Sequence, residues 1–511
     1  MKQAAFSFLL VLAAASAQAQ TATTSAKKQM TIDDYARWRT IGDTRVSPNG
    51  SLVAYTLRYS NSLDTKPLLN LYWVGADKTD TIPNGVQPAF SDNSRWVAHY
   101  VELPYDEAKK LRDGNKPVPR KVQLIDLEDG AKRTWEDIAS FSFSNGSGHL
   151  LLRRRAPDAR AKHKGVDVIV HDLKLRSDFL LGSVSEATFN RKGELLAYVV
   201  DAAEKDANGL FVLDLRSGRT IPLDDDNRIY SRLTWNEEGT SLAALKALEV
   251  EKKSEREGML VAFPDVYTVI APNAKAASVT FDPSKLADFP KETVLSDKSS
   301  LLWSADGKRI FIGTKAQSAA PDTTKKKGTD ELADVDVWGT KDTRIQSVQM
   351  ARAEQERNST YRQAYDVTTG KYIHLADSTM REVTPALEGT WAVGSDDRNY
   401  IHDYNRPSTD LYRVNTATGE RTLMLKGQIL RNGAPHTFGT TPDGKYFLYW
   451  KSNRFHVHDL DANTSKPIGG AIDFTSALFD HPGPRPSYGI AGWTVDGKGV
   501  VVNHRHDLYY L

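Results

Sequence analysis

The sequence contains no cysteine. That excludes disulfides, a thiol nucleophile and any Cys-ligated metal site. An excess of charge of one sign is missing as well. Lys and Arg number 67 against 65 Asp and Glu, a formal charge of +2, so no basic field exists to hold nucleic acid and no nucleic-acid partner is expected. Apolar runs are short. The longest, residues 6–15, falls below the roughly 20 residues that span a bilayer, so no membrane segment is expected in the mature chain. Familiar chemical motifs are absent too. No G-x-S-x-G elbow, which α/β-hydrolase chemistry uses to expose a serine, occurs anywhere, and neither does a P-loop, H-E-x-x-H or G-x-G-x-x-G string. No catalytic, cofactor-binding or metal-ligating residue is therefore assigned, and no cofactor is expected.

What is present begins with a leader. Lys2 supplies a positive start, residues 6–15 an apolar centre, and Ala17-Gln18-Ala19 a small-residue cleavage site. Residues 1–19 thus read as a secretory signal peptide, with the mature chain starting at Gln20. Residues 20–30 are small and polar and read as a linker. The expected location is secreted or periplasmic. Without disulfides, such a protein relies on its core, and a chain of 511 residues is long enough to build one.

The remainder is organised around one recurring unit, clearest at 440–449, T-T-P-D-G-K-Y-F-L-Y. A polar turn ending in Gly or a stand-in leads into a short apolar strand. Copies place the turn slot at Gly50, Ser94, Ser147, Gly193, Gly239, Gly307, Gly444 and Gly497, and a degenerate copy, T-P-A-L-E-G-T-W-A-V, places one at Gly389. The slot calls for a residue that accepts positive φ, and the residues after it have strand character. An aromatic often stands four residues earlier: Phe90, Phe143, Phe189, Trp235, Trp303 and Trp493. Its spacing fits packing between neighbouring sheets. Further strands, such as 122–127, 167–173, 210–218 and 410–419, alternate apolar and polar residues and close on turns. Repeats of roughly 40–50 residues with several short strands each mark a β-propeller. The expected fold is all-β: a propeller of seven or eight four-stranded antiparallel blades over residues 31–511.

Some segments depart from this rhythm. Residues 31–40 carry helix-start features, with Thr31 as cap and Asp33 and Asp34 in the first turn. Residues 103–119, rich in Pro and Lys, read as an excursion from the second blade. The charge run within 247–265 reads as a solvated face, and 315–334 as an exposed loop. Residues 346–357 suit a helix by propensity and a strand by context. Among polar candidates, His456 and His458 alternate on one strand, and His504 and His506 lie beside Asp507, but no third ligand has matching spacing for zinc. Strand-end histidines are the favoured reading. Glu237-Glu238 falls in a repeat turn and Arg153-Arg154-Arg155 at a strand end, and structural roles are favoured for both.

Two stretches carry a family resemblance. Residues 34–55, D-Y-A-R-W-R-T-I-G-D-T-R-V-S-P-N-G-S-L-V-A-Y, and residues 336–349, D-V-W-G-T-K-D-T-R-I-Q-S-V-Q, resemble segments of exported bacterial serine peptidases of the prolyl oligopeptidase family. The repeats resemble the propellers of its dipeptidyl peptidase IV-like and acylaminoacyl peptidase-like members. The resemblance implies a propeller that filters and binds peptide substrate ahead of an α/β-hydrolase domain carrying a Ser–Asp–His triad. No residue of the sequence matches that triad, and none convincingly matches the family's glutamate pair. The expectation is the propeller region of such a peptidase, without its catalytic domain, acting on peptide through that missing domain. The sequence ends on Asp507-Leu508-Tyr509-Tyr510-Leu511, which aligns with Asp410-Leu411-Tyr412-Arg413-Val414, so the chain is expected to stop inside a blade. The alternative is a stand-alone binding or scaffold propeller of TolB-like type.

Overall fold

The computed structural model describes residues 29–156, 163–272, 278–320, 337–402, 406–494 and 496–511. The expected signal peptide and most of the linker lie outside the described residues, as do Asp336 and the lysine-rich run before it. The chain forms two compact units, one of residues up to 136 without 91–93, the other of 91–93 and 137–511.

In the first unit the helical expectation at the start is met over one turn. Ile32–Tyr35 is helical, and the Thr31 amide and hydroxyl both donate to the Asp34 carboxylate. The helix ends there because Trp38 turns back to stack on Tyr35 at 4.4 Å, and the backbone is extended from Arg39. Two antiparallel sheets follow. The first pairs Arg39–Val46, Leu52–Tyr59, Leu68–Trp73 and Lys78–Pro83 in chain order; the second pairs Gly85–Phe90, Trp96–Val101, Lys121–Asp126 and Lys132–Trp135. Leu52, Ala54, Leu69 and Leu71 of one pack on Val97 and Ile125 of the other. The excursion at 103–119 contains a helix, Tyr105–Asp113.

The second unit repeats the plan. Its first seven strands form one continuous sheet because a single 13-residue strand, Ser177–Phe189, serves two blades. Its first half pairs with Val166–Asp172 and its second with Leu195–Val200, with register shifts on both sides at Val184. Four-stranded sheets follow at 229–281, 293–374, 382–429 and 437–468. In the sheet at 293–374 the first strand is split, and Thr293–Leu295 and Leu302–Trp303 both pair with Arg309–Ala316. Among the described residues, counting the shared strand twice and the split strand once, eight sheets have four strands, Ile490–Trp493, Val500–Asn503 and Leu508–Tyr510 form a three-stranded one, and Arg431–Asn432 pairs with Ala434–Pro435 in a small hairpin.

Consecutive sheets bury their faces against each other. Leu195, Val212 and Leu223 pack on Tyr230, Val261 and Phe263. Leu245, Ala262 and Phe281 pack on Trp303, Ile312 and Tyr365. Phe311 and Ile373 pack on Val383 and Val414, Leu411 and Leu425 on Phe447 and Tyr449, and Trp450 and Phe455 on Val500 and Val502. Four-stranded antiparallel sheets in chain order, laid one on the next within each unit, are the blades of a β-propeller.

The repeat turn sits at the same place in every blade, between its first and second strands. All nine slot residues have positive φ, from +60° at Ser94 and Ser147 to +80° at Gly389. Eight show the same backbone bond to the residue three earlier, as in Gly50 to Ser47 and Gly497 to Thr494. The preceding aromatics do pack between sheets. The Trp235 indole N–H donates to Thr188 O at 3.2 Å and that of Trp303 to Thr234 O at 3.3 Å, each a carbonyl of the preceding blade. This gives the amphipathic indole a polar partner along with its buried area.

Candidate functional site

Each blade has two ends. The repeat turns occupy one and are short. The connections between second and third strands occupy the other, and there the chain inserts its longest segments. In the second unit the largest insertion runs from 317 to 360. Residues 346–357, left open between helix and strand, are the helix Gln346–Arg357. Good helix formers and the absence of a sheet partner decide it.

This helix walls a cavity of about 830 Å³. It contributes Gln349, Arg352 and Glu356. Arg381 and Glu382 enter from the segment leading into the next blade, and Asp396, Arg398 and Tyr400 from that blade's own connection between second and third strands. Glu382 opens the strand Glu382–Pro385, Asp396 closes Trp391–Asp396 and Ser408 opens Ser408–Asn415. All three therefore lie at one end of the sheet, opposite the turn at Gly389.

Among the described residues the lining contains five Lys or Arg and five Asp or Glu side chains, so these charges balance. Several are locked in place. The Arg398 guanidinium donates to both Asp396 oxygens, at 2.9 and 2.8 Å, and holds that carboxyl below its ordinary range. Burial alone would raise Asp377, next to the lining residue Ser378. Bonds from the Thr379 hydroxyl at 2.6 Å and the Arg421 guanidinium at 3.0 Å outweigh it and bring its pKa to about 2. The Tyr400 hydroxyl donates to Asp410 at 2.6 Å, and the Gly427 amide donates to the same oxygen at 2.7 Å. Glu356 serves two guanidiniums, with Arg381 at 3.0 Å and Arg352 at 3.8 Å. This arrangement suits noncovalent recognition, with oriented donors and acceptors lining the cavity.

The polar residues singled out in the sequence fall elsewhere. His456 and His458 share the strand Arg454–Asp459. His458 is buried and held by Ser465 Oγ at 2.9 Å and Asn463 Oδ1 at 3.1 Å, so its ring nitrogens are committed to a hairpin. His456 stacks on Tyr449 at 5.2 Å. His504 lies edge-on to Phe474, and His506 and Asp507 are exposed. No cluster of three metal-ligating side chains occurs among the described residues. Glu237 and Glu238 are exposed on the repeat turn, with Glu237 3.9 Å from Arg191. Arg153 reaches back to the carbonyls of Ser185 and Lys164. The charge run before 257 is not wholly solvated. Glu255 is buried, 8% exposed, and pairs with Lys315.

Sequence reasoning did not single out Arg352, Arg381 or Arg398. The available signal was the position of Arg352, three residues after the K-D-T-R-I-Q-S-V-Q string ends. Charged residues on an irregular helix ordinarily read as solvated.

No protein-family model matches the chain, and no curated protein matches it. Its similarity is to solved structures. A structure described as that of the eukaryotic initiation factor is similar at 10% identity and a TM-score of 0.42, covering 84% of this chain and 87% of its own. Dipeptidyl peptidase 4 of Porphyromonas gingivalis is similar at 8% identity and a TM-score of 0.42, covering 83% of this chain and 52% of its own. The β-propeller domain of the trilobed protease from Pyrococcus furiosus is similar at 11% identity and a TM-score of 0.30, covering 77% of this chain and 97% of its own. Prolyl endopeptidase and tricorn protease are also among the similar structures. The chain itself is a β-propeller of antiparallel blades.

Proposed function

We propose that this propeller is the peptide-binding region of an exported serine peptidase of the prolyl oligopeptidase kind. Its cavity beside Gln346–Arg357 receives peptide for an α/β-hydrolase domain that supplies nucleophile, base and oxyanion hole. Residues 1–19 direct it to the periplasm and are removed there. One observation carries the reading. The segment that resembles the peptidase family leads directly into the helix that walls the cavity, and the described lining offers both donors and acceptors to a peptide backbone.

The test uses the full mature chain. Pentaalanine with free termini is added at millimolar concentration, and amide hydrogen exchange is followed. Protection at 346–357 and 378–402 is expected. Glycyl-prolyl p-nitroanilide is offered in parallel, and no release of p-nitroaniline is expected, because triad and oxyanion hole act together. Absence of protection in the presence of peptide overturns the reading. Turnover blocked by a serine-directed inhibitor overturns the division of labour between propeller and hydrolase domain. Recovery of a periplasmic protein starting at Gln20 tests the export step.

A further inference from the structure

We infer that the pair Arg352 and Arg381 is a carboxylate-binding subsite, so that the cavity selects peptides by an acid group. The inference rests on the peptide-binding reading above. Glu356 is the one carboxylate within 4 Å of either guanidinium among the described residues, at 3.8 Å from Arg352 and 3.0 Å from Arg381. Two cations thus share one anion, so this corner carries a surplus positive charge within a cavity whose described charges balance only when taken together. The compensation is poor in detail as well. The Arg352 Nε–H is buried without an acceptor. Arg381 spends a single Nη1–H on Glu356, and its side chain is 59% exposed, so its remaining donors face solvent. A guanidinium held on one edge by a carboxylate presents its other edge in a defined orientation, which suits a second carboxylate.

The rest of the cavity restricts what that second carboxylate belongs to. Glu382 adjoins Arg381 in sequence, Asp397 also lines the cavity, and Asp396 is already consumed by Arg398. A polyanion such as a nucleic acid or a polyuronate would bring repeated negative charge against these groups. A peptide brings one carboxylate among amides, and a free amine where it has one. The required ligand is therefore a peptide carrying an isolated carboxylate, either its C-terminus or an Asp or Glu side chain.

The test measures binding of three pentapeptides to the full chain by calorimetry: pentaalanine as the free acid, the same peptide as the C-terminal amide, and the amide with a central Asp. The free acid is expected to bind about tenfold more tightly than the plain amide, the magnitude of one charge-assisted bond. Binding of the Asp-containing amide at the strength of the free acid assigns recognition to any carboxylate. Its binding at the strength of the plain amide assigns recognition to the C-terminus. Arg381→Gln and Arg352→Gln are each expected to remove the preference for acid over amide. Circular dichroism checks that both variants are folded. Equal affinity for acid and amide, or a preference that survives both substitutions, overturns the subsite while peptide binding itself stands. Failure of all three peptides to bind overturns the underlying reading together with the subsite.

Discussion

The repeat turns of consecutive blades approach each other, and one pair of glycines separates two costs that usually come together. Gly193 and Gly307 occupy the same slot of the repeat at φ +68° and +66°. At Gly307 an added Cβ would meet nothing within 4 Å; at Gly193 it would lie 2.0 Å from the carbonyl oxygen of Asn145, in the turn of the preceding blade. Gly307→Ala therefore carries only the penalty of a side chain in the left-handed region, about 1–2 kcal/mol. Serine at positions 94 and 147 shows that this penalty is tolerable. Gly193→Ala carries it too and must also push the two turns apart by about 1 Å to reach the 3.0 Å that real contacts respect. The same approach holds the Asn145 Nδ2 bond to Arg191 O at 2.8 Å, so the shift gives up about 1 kcal/mol more in hydrogen bonding. With the repacking behind it, the expected loss is at least about 3 kcal/mol, near the upper end for single substitutions. Thermal melts of the wild type and both variants, followed by circular dichroism in one buffer, provide the assay. Gly307→Ala should melt a few degrees below the wild type and Gly193→Ala at least twice as far below it. Equal losses, or a milder loss for Gly193→Ala, would refute the idea that close turn-to-turn approach fixes glycine at this slot.

Gln363 is 3% exposed and bonds Ala376 O and Leu375 N, both at 2.8 Å. Gln363→Ala strands two buried backbone groups and should cost about 3 kcal/mol in denaturant unfolding. Phe455 is fully buried, edge-on to Trp450 at 4.9 Å and to Phe474 at 5.6 Å. Phe455→Ala should cost about 3–5 kcal/mol by the same measurement, chiefly through the cavity it leaves. Burial holds His436 and His458 below the ordinary imidazole pKa. Because the unfolded chain binds protons first, stability should fall as pH drops below about 6.5, by up to about 1.4 kcal/mol per pH unit for each histidine. Melts between neutral and mildly acid pH check this, and the double variant His436→Gln/His458→Gln should show a shallower slope.

The amino-acid sequence by itself determined the blades. A turn that needs positive φ, a polar residue that closes it and an apolar strand after it are local requirements. They were therefore legible wherever the repeat occurs, even at Ser94 and Ser147, where glycine is replaced, and at the degenerate copy around Gly389. The aromatic four residues earlier was legible for the same reason. Tertiary structure decided the features that depend on distant partners. Residues 177–189 form one strand serving two blades because both neighbouring strands are present to receive it. Residues 346–357 are helical because the blade beside them has its strands without them. His458 is satisfied within its own hairpin, by Asn463 and Ser465, which no spacing rule for metal ligands takes into account. The candidate site was the least legible part. Arg352 and Glu356 come from an insertion in one blade, and Arg381 from the segment entering the next. In the sequence they are solvated charges of ordinary kind. What sets them apart is that two guanidiniums share one carboxylate at the edge of a cavity, and only the packing of one blade against its neighbour brings that about.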